Sequence, residues 1–137
     1  MRRLLLALPL LLVGCDSTDP VADEANASAV EVEYLGVSDD SLNELTLDFR
    51  YVGETPCPAY ELSSYGTSFD PSTRRIDVDV TTRSTAEGCP GVVGTVVVEP
   101  LQVVIPGEGT YTLAFERQGG QPPLEKTVTV GVEVTAQ

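Results

Sequence analysis

The stretch LTLDFRY, residues 45–51, alternates strictly between apolar and polar side chains. A period of two places the four apolar side chains on one face of a β-strand and the polar ones on the other. The pattern therefore predicts a strand with one face towards a core. Similar alternation recurs along the rest of the chain, at 30–34, 76–80, 101–105, 111–115 and 128–134.

Turn-forming residues separate these alternating runs, for example DPS at 70–72, PGEG at 106–109 and GGQPP at 119–123. Strands of this length with turns at this spacing predict an all-β fold, an antiparallel β-sandwich of about seven to eight strands. The run at 92–98 is apolar apart from Gly94 and Thr95. It therefore predicts a central strand that is covered on both faces.

The first fourteen residues, MRRLLLALPLLLVG, form a different kind of segment. Two arginines precede an apolar run at 4–13, which as a helix covers about half of the ~30 Å hydrocarbon core of a bilayer. The run is too short to span a membrane, so residues 1–14 are predicted to be a signal peptide.

The sequence Leu12-Val13-Gly14-Cys15 resembles the lipobox of bacterial lipoproteins. The resemblance implies that Cys15 receives a diacylglyceryl group on sulfur, becomes the N-terminus after cleavage by signal peptidase II, and holds the chain on a membrane. An ordinary secretory signal with a coincidental cysteine is the alternative. The predicted organisation is a signal peptide at 1–14, a lipidated cysteine with an acidic flexible tether at 15–28, and a β-sandwich domain at 29–137.

The lipobox resemblance implies a location in the bacterial cell envelope. Asp16, directly after the cysteine, resembles an inner-membrane retention signal in enteric-type lipoproteins. In Bacteroidetes-like lineages, acidic residues at this place resemble a surface-export signal instead. We expect the outer membrane or the cell surface rather than the inner membrane.

The string Ile105-Pro106-Gly107-Glu108-Gly109-Thr110-Tyr111-Thr112-Leu113 resembles the penultimate hairpin of immunoglobulin-like and transthyretin-like modules. The resemblance favours an Ig-like form of the sandwich. It implies no functional residue, because such sandwiches carry many unrelated functions.

The composition argues against several classes of function. The 137 residues include 21 acidic and 8 basic side chains, a formal net charge of −13, and no histidine. A surface this negative repels nucleic acids, so no nucleic-acid partner is expected. Without histidine the chain cannot build a Ser-His-Asp or Cys-His nucleophilic site. We expect a protein that is not an enzyme and that carries no cofactor.

Cys57 and Cys89 are the cysteines that remain once Cys15 carries a lipid. An even pair in an exported chain predicts a disulfide bond. In the chain-entropy view, closing this loop stabilises the fold by about 3–4 kcal/mol. A pair of thiols that binds a soft metal is the alternative, but it lacks histidine or further cysteine ligands.

A candidate binding surface consists of Tyr60, Tyr65 and Phe69. They lie among Ser, Gly and Thr in residues 57–72, the longest stretch without clean alternation. Such a composition is typical of recognition loops held by a rigid scaffold. The alternative is that the three rings cap the end of the sandwich core.

Two groups of carboxylates are candidate chemical sites. Asp39, Asp40 and Glu44 are a weak calcium candidate, because they lack the Asp-x-Asp-x-Asp-Gly spacing of a calcium loop. A plain turn without metal is the expected structure there. Asp77 and Asp79 alternate with apolar neighbours and are expected on the solvated outer face of a strand, not in a catalytic pair.

Together these features predict a lipid-anchored, non-enzymatic envelope protein. It would act as a binding or accessory module for an envelope protein partner or an extracellular ligand, with its N-terminal lipid in the membrane. The alternative is a structural or assembly subunit of a larger envelope complex. A hydrolase of unfamiliar design is less favoured.

Overall fold

The computed structural model describes residues 23–41, 44–85 and 92–131. Within these ranges the chain forms eight β-strands and no helix. The strands are β1 (Glu24–Asn26), β2 (Ser28–Ser41), β3 (Glu44–Thr55), β4 (Tyr60–Asp70), β5 (Arg75–Ser84), β6 (Gly94–Ile105), β7 (Gly109–Phe115) and β8 (Leu124–Val130).

The strands form two sheets that pack face to face. In the five-stranded sheet β5 pairs with β4 on one side, and β7 and then β8 follow on the other. The short β1 pairs with the far end of β5, at 81–83. The three-stranded sheet has the order β2-β3-β6. The predicted all-β sandwich of seven to eight strands is confirmed.

One strand pair differs from the antiparallel arrangement that the sequence predicted. β5 and β7 run parallel, with Arg75 opposite Thr112 and Val78 opposite Phe115. The other strand pairs of the described ranges are antiparallel. β4 and β5 form a hairpin, and it is the second strand of the hairpin that lies beside β7. Alternation and turn signals carry no information about which strand of a hairpin meets the next neighbour.

The core lies where the alternating runs predicted it. The apolar side chains of 45–51 are all buried, and Phe49 meets Phe115 of the opposite sheet with ring centroids 5.8 Å apart. The remaining predicted core positions that are buried are Val32, Ile76, Val78, Val80, Val96, Val98, Leu101, Val103, Ile105, Tyr111, Leu113 and Val128.

Alternation fails on β2, an edge strand of the three-stranded sheet. The sequence placed Val30, Val32 and Tyr34 together on the inner face, yet Val30 is 51% exposed and only Val32 is buried. Register shifts interrupt the pairing with β3 on either side of this segment. Each bulge inserts an unpaired residue and turns the following side chains to the other face.

The prediction that 92–98 is a central strand covered on both faces is wrong. β6 begins at Gly94 and lies at the edge of the three-stranded sheet. Val96 and Val98 face the core, whereas Val97 is 53% exposed. A run of valines without polar residues between them carries no signal about which face is buried.

The sandwich begins within the predicted tether. β1 pairs with β5, and the Thr82 hydroxyl donates a hydrogen bond to the carbonyl of Ala25 at 2.8 Å. Ala27 and Ala29 are buried as the chain passes from one sheet to the other. Alanine contributes little apolar area, so the segment 24–29 has only a weak hydrophobic pattern in the sequence.

The predicted signal peptide and lipobox lie outside the described residues. Among the residues that the structure does describe, no helix has the length and apolar character needed to cross a bilayer.

The connection between β6 and β7 is fixed by Tyr111. Its ring is buried, and its hydroxyl donates a 2.8 Å hydrogen bond to the carbonyl oxygen of Gly107, four residues upstream. The guanidinium of Arg74 lies 5.3 Å from the ring centroid. A tyrosine bonded in this way to the preceding corner is a feature that immunoglobulin-like sandwiches share.

Candidate functional site

The segment 57–72 is not the recognition loop that its composition suggested, because it contains the edge strand β4. The pairing of β4 with β5 shifts register between Leu62 and Ser64. The bulge moves the inward positions from even to odd residue numbers, which hides the period of two in the sequence.

Tyr65 lies at the border of the core. It sits opposite Val80 on the inner face of β4 and packs against the buried cluster. The backbone N–H of Gln102, in the other sheet, donates a 3.3 Å hydrogen bond to the Tyr65 hydroxyl. These contacts favour the alternative in which this ring caps the core.

Phe69 and Tyr60 are less enclosed. Phe69 is 40% exposed and contacts Tyr111 with ring centroids 6.1 Å apart. Tyr60 is half-buried at the first position of β4. The three rings therefore lie along one strand without forming a continuous open surface, and their role in binding stays a prediction.

Substitutions on β4 separate the two interpretations. We expect Tyr65→Ser to lower the free energy of unfolding by about 2–4 kcal/mol, because it removes ring packing and an inter-sheet hydrogen bond. Tyr65→Phe removes the hydrogen bond alone and should cost about 1 kcal/mol. Urea denaturation measures both. A loss for Phe69→Ser as large as that for Tyr65→Ser would contradict this assignment.

The weak calcium candidate falls on the β2–β3 hairpin. Asp39 pairs with Thr46 across the hairpin, and the Ser41 hydroxyl donates to the Asp39 carboxylate at 3.4 Å. Glu44 begins β3, and the side chain of Asp40 lies outside the described residues. The described ranges contain no group of three or more histidine, cysteine, aspartate or glutamate side chains arranged to hold a metal ion.

Cys57 is buried and takes part in a disulfide bond. Its carbonyl oxygen accepts hydrogen bonds from the Thr55 hydroxyl at 2.9 Å and from the Tyr60 N–H at 3.2 Å. Cys89 and Cys15 lie outside the described residues. The Cys57–Cys89 pairing therefore stays a prediction.

A cleft with a volume of about 410 Å³ opens on the outer face of the five-stranded sheet. It lies where β1, β4, β5 and the end of β7 meet the connection 116–123, which leads to β8. We call it the outer cleft, and its polar lining includes Asn26, Ser68, Asp77, Asp79, Glu116 and Arg117.

Asp77 and Asp79 reach the outer cleft because they alternate with buried residues along β5, as the sequence predicted. The carboxylate of Asp77 accepts a 2.9 Å hydrogen bond from Nε of Arg75, which also pairs with Glu125 at 2.6 Å. These bonds, that to Glu125 first, raise the pKa of Arg75 above its usual value. Asp79 has no comparable partner in the described part of the chain.

Glu116 fixes the start of the connection that borders the outer cleft. Its carboxylate accepts hydrogen bonds from the side-chain amides of Asn26 at 3.1 Å and Gln118 at 3.4 Å. Its backbone N–H donates a hydrogen bond to the carbonyl oxygen of Val78, and its own carbonyl oxygen accepts one from the backbone N–H of Ala29. Glu116 is thus tied to β5 and to the start of β2 and already has partners for its charge.

Arg117 is the unusual member of the outer cleft. Its Nε is buried and has no hydrogen-bond acceptor among the described residues. The guanidinium forms no ion pair with them either, although three carboxylates line the same cleft. A buried donor without an acceptor costs about 1–3 kcal/mol, a cost that a ligand could remove.

Arg117 was not identified from the sequence, because it lies just before Gly119-Gly120 in a stretch whose composition indicates a turn. The cleft residues Asn26, Ser68, Asp77 and Asp79 lie on other strands, and no local spacing in the sequence links them to Arg117. A charged side chain between a strand and a glycine turn is too common a pattern to indicate a site.

A second groove of about 530 Å³ lies between the edge strands β2 and β8. It is lined by residues 31–34 on one side and 126–129 on the other. Glu31, Glu33 and Lys126 place charges along it. Charged side chains and bulges on an edge strand hinder pairing with a further strand.

The fold and the site define a β-sandwich with a polar cleft on the outer face of one sheet. No protein family matches the chain, and no curated protein or solved structure is similar enough to count as a relative or a structural neighbour. Because β-sandwiches carry many unrelated functions, the side chains of the outer cleft are more informative about function than the fold.

Proposed function

We propose that this chain is a lipid-anchored, non-enzymatic binding module of the bacterial cell envelope and that it binds its ligand in the outer cleft. The lipobox-like sequence ending at Cys15 supports the anchor. The observation that carries the binding role is the buried Nε of Arg117, which lacks a hydrogen-bond acceptor among the described residues.

The dimensions and construction of the outer cleft also support binding. Its volume of about 410 Å³ lies within the range of small-molecule sites, about 300–1,000 Å³. Asp77 and Asp79 project from a strand that is paired on both sides, and Glu116 is held by four hydrogen bonds. Polar groups on such a rigid base are ordered before a ligand arrives, which lowers the entropic cost of binding.

The chemistry of the lining supports a role without catalysis. The sequence contains no histidine, so no imidazole can activate a hydroxyl or a thiol. Asp77 already accepts a hydrogen bond from Arg75 and forms an ion pair with it. A general acid or base must instead be positioned to exchange a proton with the substrate.

The open groove between β2 and β8 would suit the alternative, an assembly subunit that accepts a strand from a partner. Glu31 and Glu33 on β2, and the three register shifts in its pairing with β3, work against strand addition. The binding module is therefore favoured. A stable complex on size-exclusion chromatography after mild detergent extraction would reverse this preference.

A thermal-shift measurement on the full mature chain in detergent tests the proposal. The probes are neutral oligosaccharides, polygalacturonate and oligolysine. We expect one probe to raise the Tm by roughly 10 °C at a hundredfold excess over its Kd. Arg117→Gln should abolish the shift, because it removes the donor that the ligand would satisfy.

The matched control is Arg50→Gln. The Arg50 guanidinium pairs with Glu31 and Glu99 in the three-stranded sheet, away from the outer cleft. The control should keep the ligand-induced shift. No shift with any probe, or a shift that Arg117→Gln retains in full, would contradict a binding site in the outer cleft.

A further inference from the structure

We infer that the outer cleft takes a neutral saccharide, whose hydroxyl groups accept a hydrogen bond from Arg117 and donate one to Asp79. This inference rests on the proposed function of the same cleft and adds the chemical class of the ligand.

Among the described residues, the outer cleft contains one unpaired charged group of each sign, which favours a ligand that satisfies both. Asp77 is bonded to Arg75, and Glu116 is bonded to two amide side chains. Asp79 and Arg117 are then the charged groups of the lining without a partner in the described ranges, one of each sign. A cationic ligand that paired with Asp79 would leave the buried Nε of Arg117 without an acceptor. An anionic ligand that paired with Arg117 would leave Asp79 unpaired and would meet repulsion from the carboxylates of the lining.

The hydrogen-bonding needs of the two groups point to hydroxyls. Arg117 can only donate, and the ionised carboxylate of Asp79 can only accept. A hydroxyl does both, and a sugar ring presents several hydroxyls at short spacing. An apolar ligand would leave both groups unpaired and desolvated, which costs free energy instead of providing affinity.

A peptide strand could also offer donors and acceptors, but the outer cleft does not suit one. β5 and β7 form the sheet beneath it, and each is hydrogen-bonded to strands on both sides. Recognition of an extended peptide relies on free backbone groups at a sheet edge. The cleft lies on a sheet face, so its polar contacts must come from side chains.

The floor of the outer cleft suits the apolar face of a sugar ring. Ala114 lies on the outer side of β7, opposite Asp77, and is 3% exposed, so its small side chain leaves room above it but contributes little surface. The apolar contact comes from the exposed ring of Pro123. Asn26, Ser68 and Gln121 surround it with neutral groups that can both donate and accept.

Isothermal titration calorimetry of the full mature chain in detergent tests the inference. The probes are neutral gluco-, xylo- and N-acetylglucosamine oligosaccharides, with polygalacturonate and oligolysine as charged comparisons. We expect one neutral series to bind, with an affinity that changes little from low to high salt. Arg117→Gln and Asp79→Asn should each weaken it about tenfold or more, and Arg50→Gln should leave it unchanged.

The outcomes distinguish the ligand class from the binding role. Binding of oligolysine or polygalacturonate that both cleft variants weaken would overturn the saccharide inference and leave the proposed binding function intact. Failure of every probe, or saccharide binding that neither variant weakens, would overturn both. A Tm for each variant close to that of the parent chain shows that weakened binding does not reflect unfolding.

Discussion

Phe115→Ala should lower the free energy of unfolding by about 3–5 kcal/mol, the largest effect expected of a single core substitution. Phe115 is fully buried at the end of β7. Its ring contacts Phe49 and Tyr51 of the other sheet, with centroids 5.8 Å and 6.2 Å away. Removing it opens a cavity between the two sheets. Since small domains are stable by only about 5–15 kcal/mol, much of the protein's stability would be lost.

The matched control for Phe115→Ala is Val104→Ala. Val104 lies on the outer face of β6 and is 52% exposed, so its truncation should change stability by no more than about 0.5 kcal/mol. Urea denaturation with a common m-value gives both numbers. Equal costs for the two variants would show that the sheets do not pack around Phe115.

Gly94→Ala should destabilise the fold by about 3 kcal/mol, although it adds a single methyl group. A Cβ on Gly94 would meet the carbonyl oxygen of Cys57, and it would lie 2.5 Å from the Thr55 hydroxyl oxygen. The carbonyl belongs to the backbone of a disulfide-bonded residue and cannot rotate away. Overpacking of this kind forces the backbone to shift.

Gly131→Ala is the matched control for Gly94→Ala. A Cβ at Gly131 meets no atom within 4 Å, and the residue is not in the left-handed region. We expect a change within about 0.5 kcal/mol. Differential scanning calorimetry or urea denaturation compares the two. A tolerated Gly94→Ala would mean that β6 does not begin against the Cys57 backbone.

The fold was predictable from sequence wherever one face of a strand is buried and the other is exposed to solvent. Residues 45–51 and 76–80 obey this condition, and both their strand structure and their inward side chains were correct. β4 violates it, because it is an edge strand with a bulge after Leu62 and a half-covered inner face. The prediction for β6 fails for a different reason. An exposed valine on the outer face of a strand cannot be distinguished from a buried one by sequence alone.

The outer cleft was only partly visible in the sequence. Alternation placed Asp77 and Asp79 on the outer face of their strand, where the structure has them. Their neighbours Asn26 and Arg117 come from opposite ends of the domain, brought together by the pairing of β1 and β7 with the same side of β5. Such contacts depend on strand order, which local patterns do not encode.

The intact mass of the protein purified from its native membrane, with and without reductant, is the decisive measurement. We expect the mass of residues 15–137 plus a diacylglyceryl group and a further acyl chain on Cys15. We also expect a gain of about 2 Da on reduction, as the Cys57–Cys89 disulfide takes up two hydrogens. A chain without lipid that is cleaved elsewhere, or one that retains Met1, would contradict the anchor and the envelope location.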